Sequence, residues 1–438
     1  MKKIIYGWGR NKKILSNIHF PKNINKVSKI LSSKHKIIPR GNGRSYGDSS
    51  LQENLIISSL KLNKILSFNK TKGIIKVESG IILKDLLEYI IPQGWFIPVS
   101  PGTKYVTLGG MIASNVHGKN QHLSGCFINF VNKFKILTSK KKEINVSITK
   151  NKNLFLSTFG GMGLTGFITE IEIKLIKIKS DKIYQKIHIY NNLNQLLDAM
   201  KKNNNLYTVS WIDLFSLNGK KINSIMYSGK HIEKKEKLKN FKFSNNYFIN
   251  KHIFKFLNFF LNDFIVYIFN KLKFTYSRIF EKKVKIIPLE TFFYPLDKIK
   301  NWNLIYGEKG FIQYQFVVPY KSASIVIKKI LKILKKNDLI PYLAVLKTMK
   351  KDIGFLSFSM NGVSLALDIP VKKNLNNIIS KLDQIIVSNN GKIYLTKDSY
   401  LEDKNFKNMY KNFNKFNKIR KIYKLNRYQS IQSKRLGI

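Results

Sequence analysis

The chain has 438 residues and one cysteine, Cys126, which excludes an internal disulfide and a cysteine-rich zinc site. That suits a reducing compartment, and no metal is expected. Acidic residues are scarce: 25 Asp and Glu face 78 Lys and Arg, for a formal net charge of +53. Arginine is scarce among those bases, yet it is the residue suited to bidentate reading of bases and phosphates. No uncharged apolar run reaches eighteen residues, so no transmembrane helix is expected. The N-terminal MKKIIYGWGRNKK is charged and lacks an h-region, so no signal peptide is expected either. Internal repeats and low-complexity linkers are absent, and domain borders have to be placed by motif.

The positive charge has two readings. One is a nucleic-acid or anionic-membrane partner. The other is codon bias, because Lys, Asn and Ile share A/T-rich codons. The lysines run along the whole chain and form no basic tail, which favours the compositional reading. Apolar residues make up 44%, enough for a sizeable core.

Periodicity gives an α+β chain. Residues 1–180 alternate short strands and helices. Strands are expected at 55–60, 73–80, 207–214, 310–319, 363–370 and 391–401, and from Phe167 in the run 163–178. A hairpin is expected over 133–147. Helices are expected at 83–94, closed by Pro92 and Gly94, at 324–338, at 375–389, and over most of the tail. The run 253–274 is rich in Phe, Leu and Ile but broken by Lys255, Asn258, Asn262 and Asp263. It is either an amphipathic helix at a membrane interface or a helix packed on a sheet.

Three glycine-rich loops carry the chemistry. PRGNGRSYGDSS (39–50) follows the apolar pair Ile37–Ile38. Its glycines allow positive φ, and consecutive N–H groups can form a nest for a pyrophosphate. No amphipathic helix with an acidic residue some twenty positions on follows, so a Rossmann fingerprint fits poorly. PVSPGTKYVTLGGMIASNVHGKNQH (98–122) adds small residues, with His117 and Lys119 close together. FGGMGLTGFIT (159–169) leads into a strand. Three such loops in one α+β region are far less expected by chance than one.

RGNGRSYGD, then PGT…TLGG…NVHGKN, then GGMGLTG, resembles the FAD-linked oxidases of the vanillyl-alcohol-oxidase class. Within it the similarity is greatest to the polyprenylphosphoryl-ribose oxidases. GWGR (7–10), FYPLD (293–297), WN..YG..GFIQYQFVVP (302–319), LALDIP (365–370) and YLTKDS (394–399) extend the resemblance nearly end to end.

The resemblance implies an α+β fold. An FAD-binding domain of the PCMH type would comprise residues 1–180 and 392–438, and an antiparallel-sheet substrate domain residues 181–391. It implies noncovalent FAD held by Arg40, Gly41, Asn42, Gly43, Arg44, Ser45, Tyr46, Gly47, Asp48 and Ser49. Further flavin contacts would be Gly102, Thr107, Leu108, Gly109, Gly110, Ser114, Asn115, Val116, His117, Ile168 and Tyr394. Lys397 matches the active-site lysine, with His117 as an assisting base. Lys119, Gln315 and Lys347 match polar groups of the substrate pocket. The implied reaction oxidises the 2′-hydroxyl of a polyprenylphosphoryl-β-D-ribose to the 2′-keto sugar, on the way to an arabinose donor for the cell wall. The alternative is an aldonolactone or other soluble sugar oxidase. The implied partners are a lipid-linked sugar phosphate and a short-chain NAD(P)H-dependent reductase, without nucleic acid. The implied location is the cytoplasm, with peripheral contact at the inner membrane. One departure stands out: Ser364-Leu365-Ala366 replaces an Asn-x-Cys, so no thiol stands there.

Overall fold

The computed structural model describes residues 2–218, 221–234, 236, 238, 241–244 and 262–438. Residues 253–261 of the apolar run 253–274 therefore lie outside the described residues.

Near the N-terminus, Lys13–His19 and Ile37–Arg40 flank Leu55–Ser58 in parallel, and Lys2–Tyr6 closes the edge antiparallel. Leu55–Ser58 is buried along its length, as a central parallel strand requires. The first glycine loop leaves the carboxyl end of Ile37–Arg40, where open α/β sheets place their ligand crevices.

A second, antiparallel sheet runs in the order Ile65–Asn69, Ile74–Glu78, Phe167–Lys174, Val131–Leu137, Glu143–Ser147. The last two strands are the expected hairpin. In Phe167–Lys174 the alternation buries Phe167, Thr169, Ile171 and Ile173. Helix Leu83–Ile90 turns Leu83, Leu86, Leu87 and Ile90 inward and ends through Pro92 at Gly94, whose φ is 80°.

The third sheet has eight antiparallel strands. Their order is Val284–Pro288, Lys182–Asn192, Lys221–His231, Tyr207–Ile212, Leu343–Met349, Gly362–Pro370, Phe311–Val318, Lys392–Ile393. Period two divides their side chains between two faces. One face sends Met226, Phe316, Leu346, Leu365 and Leu367 into a core with helices Leu193–Lys202, Tyr320–Lys336 and Leu375–Ser388. The other carries rows set by register: Gln313–Asp368–Leu343, Gln315–Ala366–Val345 and Val317–Ser364–Lys347.

The strand expected at 391–401 shrinks to Lys392–Ile393. Beyond it the chain turns, with Lys397 and Asp398 donating backbone N–H groups to the Tyr394 carbonyl. Helix 324–338 begins earlier than expected, at Tyr320, directly after Pro319. The tail is helical at Asp403–Met409, Phe413–Ile422 and Ile431–Arg435, and returns to the N-terminal sheet through a parallel bridge between Ile37 and Tyr428.

Candidate active site

The three glycine loops and the polar face of the eight-stranded sheet enclose one cavity of about 750 Å³. Its lining brings together Arg40 to Tyr46, Ser49, Gly102, Thr107, Gly109, Gly110, Ser114, Val116, His117, Ile168, Tyr394 and Lys397. Lys119, Gln315 and Lys347 line it as well. Four expected flavin contacts stand behind this surface. Leu108 is core. Asn115 accepts from the Ile128 N–H through Oδ1 at 3.2 Å. Asp48 is ion-paired with Arg435. A Cβ on Gly47 would strike the Asp398 carbonyl, so that glycine serves the close approach of two chains.

The first loop is held from outside. Arg40 donates to the Tyr6 carbonyl at 2.7 Å and to Ser50 Oγ at 2.9 Å. Asn42 donates to the Tyr105 carbonyl at 2.8 Å. Trp8 and Gly9 bond the carbonyls of Ser45 and Tyr46. Gly43 has φ 63°, which favours glycine. Among the described residues, no protein group accepts from the backbone N–H groups of Asn42, Gly43 or Arg44. Arg44 stacks 3.8 Å over the Trp8 ring and leaves its Nε buried without a partner.

These features fit FAD. The exposed N–H groups and Arg44 suit a pyrophosphate. Ser79 Oγ and His117 Nδ1, both on the cavity wall, are likewise buried without partners. A Cβ on Gly102 would meet nothing within 4 Å, because that backbone borders open cavity.

At the junction of loop and sheet, Gln315 Nε2 lies 3.0 Å from His117 Nε2 and 3.2 Å from Ser364 Oγ. With the amide donating, the imidazole keeps its proton on Nδ1. Tyr394 and Phe358 pack against the ring, and the Tyr394 hydroxyl donates to the Ser114 carbonyl at 2.9 Å. Burial, reinforced by Lys347 and Lys397, pushes the His117 pKa well below the usual histidine value, so the ring is neutral at pH 7.

Three lysines surround this point. Burial, then Lys347, lowers Lys119 to about 7, and burial lowers Lys347 to about 8. Lys119 donates to the Phe293 carbonyl at 3.1 Å. Among the described residues neither Lys119 nor Lys347 has a carboxylate partner. Lys397 lies 3.6 Å over the Tyr46 ring. Burial pushes it down, the charge of Asp368 opposes that, and Lys347 adds to it. An imidazole whose Nδ1–H is free to donate can orient and polarise a hydroxyl group, while the buried amines beside it can take up a proton or neutralise an anion.

Sequence reasoning missed Asp368, Gln313 and the outer chamber. That chamber continues the cavity across the sheet past Ile187, Trp211 and Val345, under Lys273 and Ser277 of helix Asp263–Ile279. Lys273 sits 4.2 Å over the Trp211 ring. Strand alternation was the available signal for Asp368, which shares a face with Ser364 and Ala366.

Fold and cavity define an FAD-dependent oxidoreductase, and residues 16–147 match the family model of an FAD binding domain. The chain is similar over nearly its whole length to decaprenylphosphoryl-beta-D-ribose oxidase of Mycolicibacterium smegmatis, at 28% identity over 93% of this chain and 91% of that one. Two further relatives match part of the chain. D-lactate dehydrogenase of Anaerostipes hadrus is 30% identical over 38% of this chain and 36% of its own. L-gulonolactone oxidase of Scyliorhinus torazame is 28% identical over 31% of each.

Proposed function

We propose that this FAD-dependent oxidoreductase oxidises the 2′-hydroxyl of a polyprenylphosphoryl-β-D-ribose to the 2′-keto sugar. The observation that carries the reading is the cluster of Lys119, Lys347 and Lys397 around neutral His117, in a cavity that continues into an apolar chamber. Two lysines without a carboxylate partner suit a phosphate-bearing substrate. The chamber beside Ile187, Trp211 and Val345 suits a prenyl chain. The near full-length similarity to the mycobacterial oxidase supports the same substrate class.

Bound FAD supplies the hydride acceptor. Arg40 to Tyr46, Ser49 and the cavity-lining residues of the loop 102–117 hold it noncovalently. The hydroxyl proton passes to the amine cluster, where Lys119 is lowered to about 7, while His117 orients the hydroxyl oxygen through its Nδ1–H and the Lys397 ammonium stabilises the developing alkoxide. Lys119, Gln315 and Lys347 hold the sugar phosphate. Residues 1–180 and 392–438 form the flavin domain and 181–391 the substrate domain. Apolar clusters continue across these borders, since Leu289, Phe292 and Phe293 pack with Phe96 and Ile97. A short-chain NAD(P)H-dependent reductase would complete the epimerisation.

Peripheral membrane contact belongs to the same reading. No helix among the described residues is long and apolar enough to cross a membrane. Helix Asp263–Ile279 nevertheless exposes Phe264, Phe269, Leu272 and Ile279 beside Lys271 and Arg278. Such a face suits an anionic bilayer at the cytoplasmic side.

The test is the visible spectrum of the purified protein under anaerobic conditions. Flavin bands that bleach with lipid-linked ribose support the proposal. Bleaching by a soluble aldonolactone alone overturns the substrate, and a colourless protein overturns the reading entirely.

A further inference from the structure

We propose that Asp368 is a positioning residue for Lys397, holding its ammonium group over the Tyr46 ring and keeping it charged. The inference rests on the reading of Lys397 as the lysine of the flavin site.

Asp368 is 1% exposed and stands on the cavity face of strand Gly362–Pro370, in one row with Gln313 and Leu343. Its Oδ1 accepts from Gln313 Nε2 at 2.6 Å, and its Oδ2 is buried with no partner. A carboxylate oxygen sealed from water costs free energy unless something answers it. The group that answers is Lys397. Among the described residues Lys397 Nζ likewise has no hydrogen-bond acceptor, and its environment is the Tyr46 ring and the charge of Asp368. A sealed carboxylate and an ammonium group at the cavity wall beside it, neither with an ionic partner in contact, still attract each other through the protein between them. Burial pushes the lysine down and the carboxyl up, and each restrains the other.

The other groups facing the pair are identified by their elements. Tyr46 and Arg44 come from the first glycine loop, and the Tyr46 hydroxyl lies 3.4 Å from Gln313 Nε2. Tyr306 stacks on Phe311 beside them, near Tyr342. Lys347 and His117 face Lys397 from the neighbouring strand and the second loop. Lys347 repels Lys397, and among the described residues Asp368 is the carboxylate whose field supports its charge.

The experiment is competitive acylation of the flavin-loaded protein with acetic anhydride across pH, read by mass spectrometry on the peptide that contains Lys397. In Asp368→Asn the labelling midpoint of Lys397 should fall by about one pH unit, and Asp368→Glu should restore it. Gln313→Leu removes the donor to Asp368 and should lower the midpoint in the same direction, so it serves if Asp368→Asn does not fold. The pH dependence of the flavin reduction potential should change with Asp368→Asn in the wild type and stay unchanged in a Lys397→Met background. An unmoved midpoint in folded variants overturns the proposal. Flavin content is measured separately: loss of flavin in the wild type would sink the proposed function, whereas the midpoint reports on the pair alone.

Discussion

Lys347 projects from a strand into the cavity, and its surroundings lower its pKa from 10.5 to about 8. The sign of the stability effect follows. Below pH 8 the lysine is charged in both states, and the folded state bears the burial penalty. Between 8 and 10.5 the folded state releases the proton first, so stability rises with pH. Above 10.5 both states are neutral and the penalty is gone. Lys347→Met should therefore raise the melting temperature most below pH 8, with the gain fading towards pH 10. Because the amine borders a cavity open to solvent, the gain is about 1 kcal/mol, less than the shift alone implies. Differential scanning fluorimetry of both proteins across pH checks this, and a gain independent of pH refutes it. The same scale shows what the sequence could reveal. Lys397 was legible because YLTKDS surrounds it. Asp368 was not, because one carboxylate in LALDIP reads as the polar end of an apolar strand. Alternation puts it on the face of Ser364 and Ala366, but its pairing with Gln313 depends on cross-strand register, which no local pattern encodes.

Elements with strong period were legible almost to the residue. The hairpin over 133–147 and the helix at 375–389 appear as Val131–Leu137, Glu143–Ser147 and Leu375–Ser388. The failure at 391–401 has a tertiary cause. Tyr394 is drawn to the Ser114 carbonyl and Tyr46 bonds the Thr396 carbonyl, so the β-rich run is bent into the site. The run 253–274 left two readings open, and its described part, in helix Asp263–Ile279, has one face packed on the protein and one exposed. Val266, Asn270, Phe274 and Ser277 face the protein, with Asn270 donating to Asp213 at 2.8 Å. Phe264 (67% exposed) and Phe269 (63% exposed) face outward. Three Glu substitutions, at Phe264, Phe269 and Leu272, leave the inward face intact. They should abolish sedimentation with vesicles containing anionic lipid while the melting temperature moves little. Sedimentation equal to wild type rules out this helix as the membrane contact.

At the scale of the whole molecule, the first glycine loop depends on the far end of the chain. Arg435 donates through Nη2 to Asp48 Oδ1 at 2.8 Å and to Asp398 Oδ2 at 2.9 Å, and through Nη1 to the Leu401 carbonyl at 2.5 Å. Asp48 follows Gly47 in the first loop, and Asp398 follows Lys397. One guanidinium, 387 positions from Asp48 in sequence, thus ties the first glycine loop to the turn that carries Lys397. Both carboxylates are buried, and Gln432 supplies a further donor to Asp398 at 2.9 Å. Removing one partner of a buried ion network leaves uncompensated charge, at a cost of roughly 3–5 kcal/mol. Arg435→Met should lose about that much stability in urea titrations at pH 7. It should also release flavin at a lower urea concentration than the wild type, because the two carboxylates then repel and the loop separates from the turn. Flavin fluorescence, quenched while bound, reports the release, and tryptophan fluorescence reports global unfolding. If the two transitions stay coincident in the variant and the midpoint does not fall, the loop is held by its own contacts to Trp8, Ser50 and Tyr105, and the tail contributes only packing.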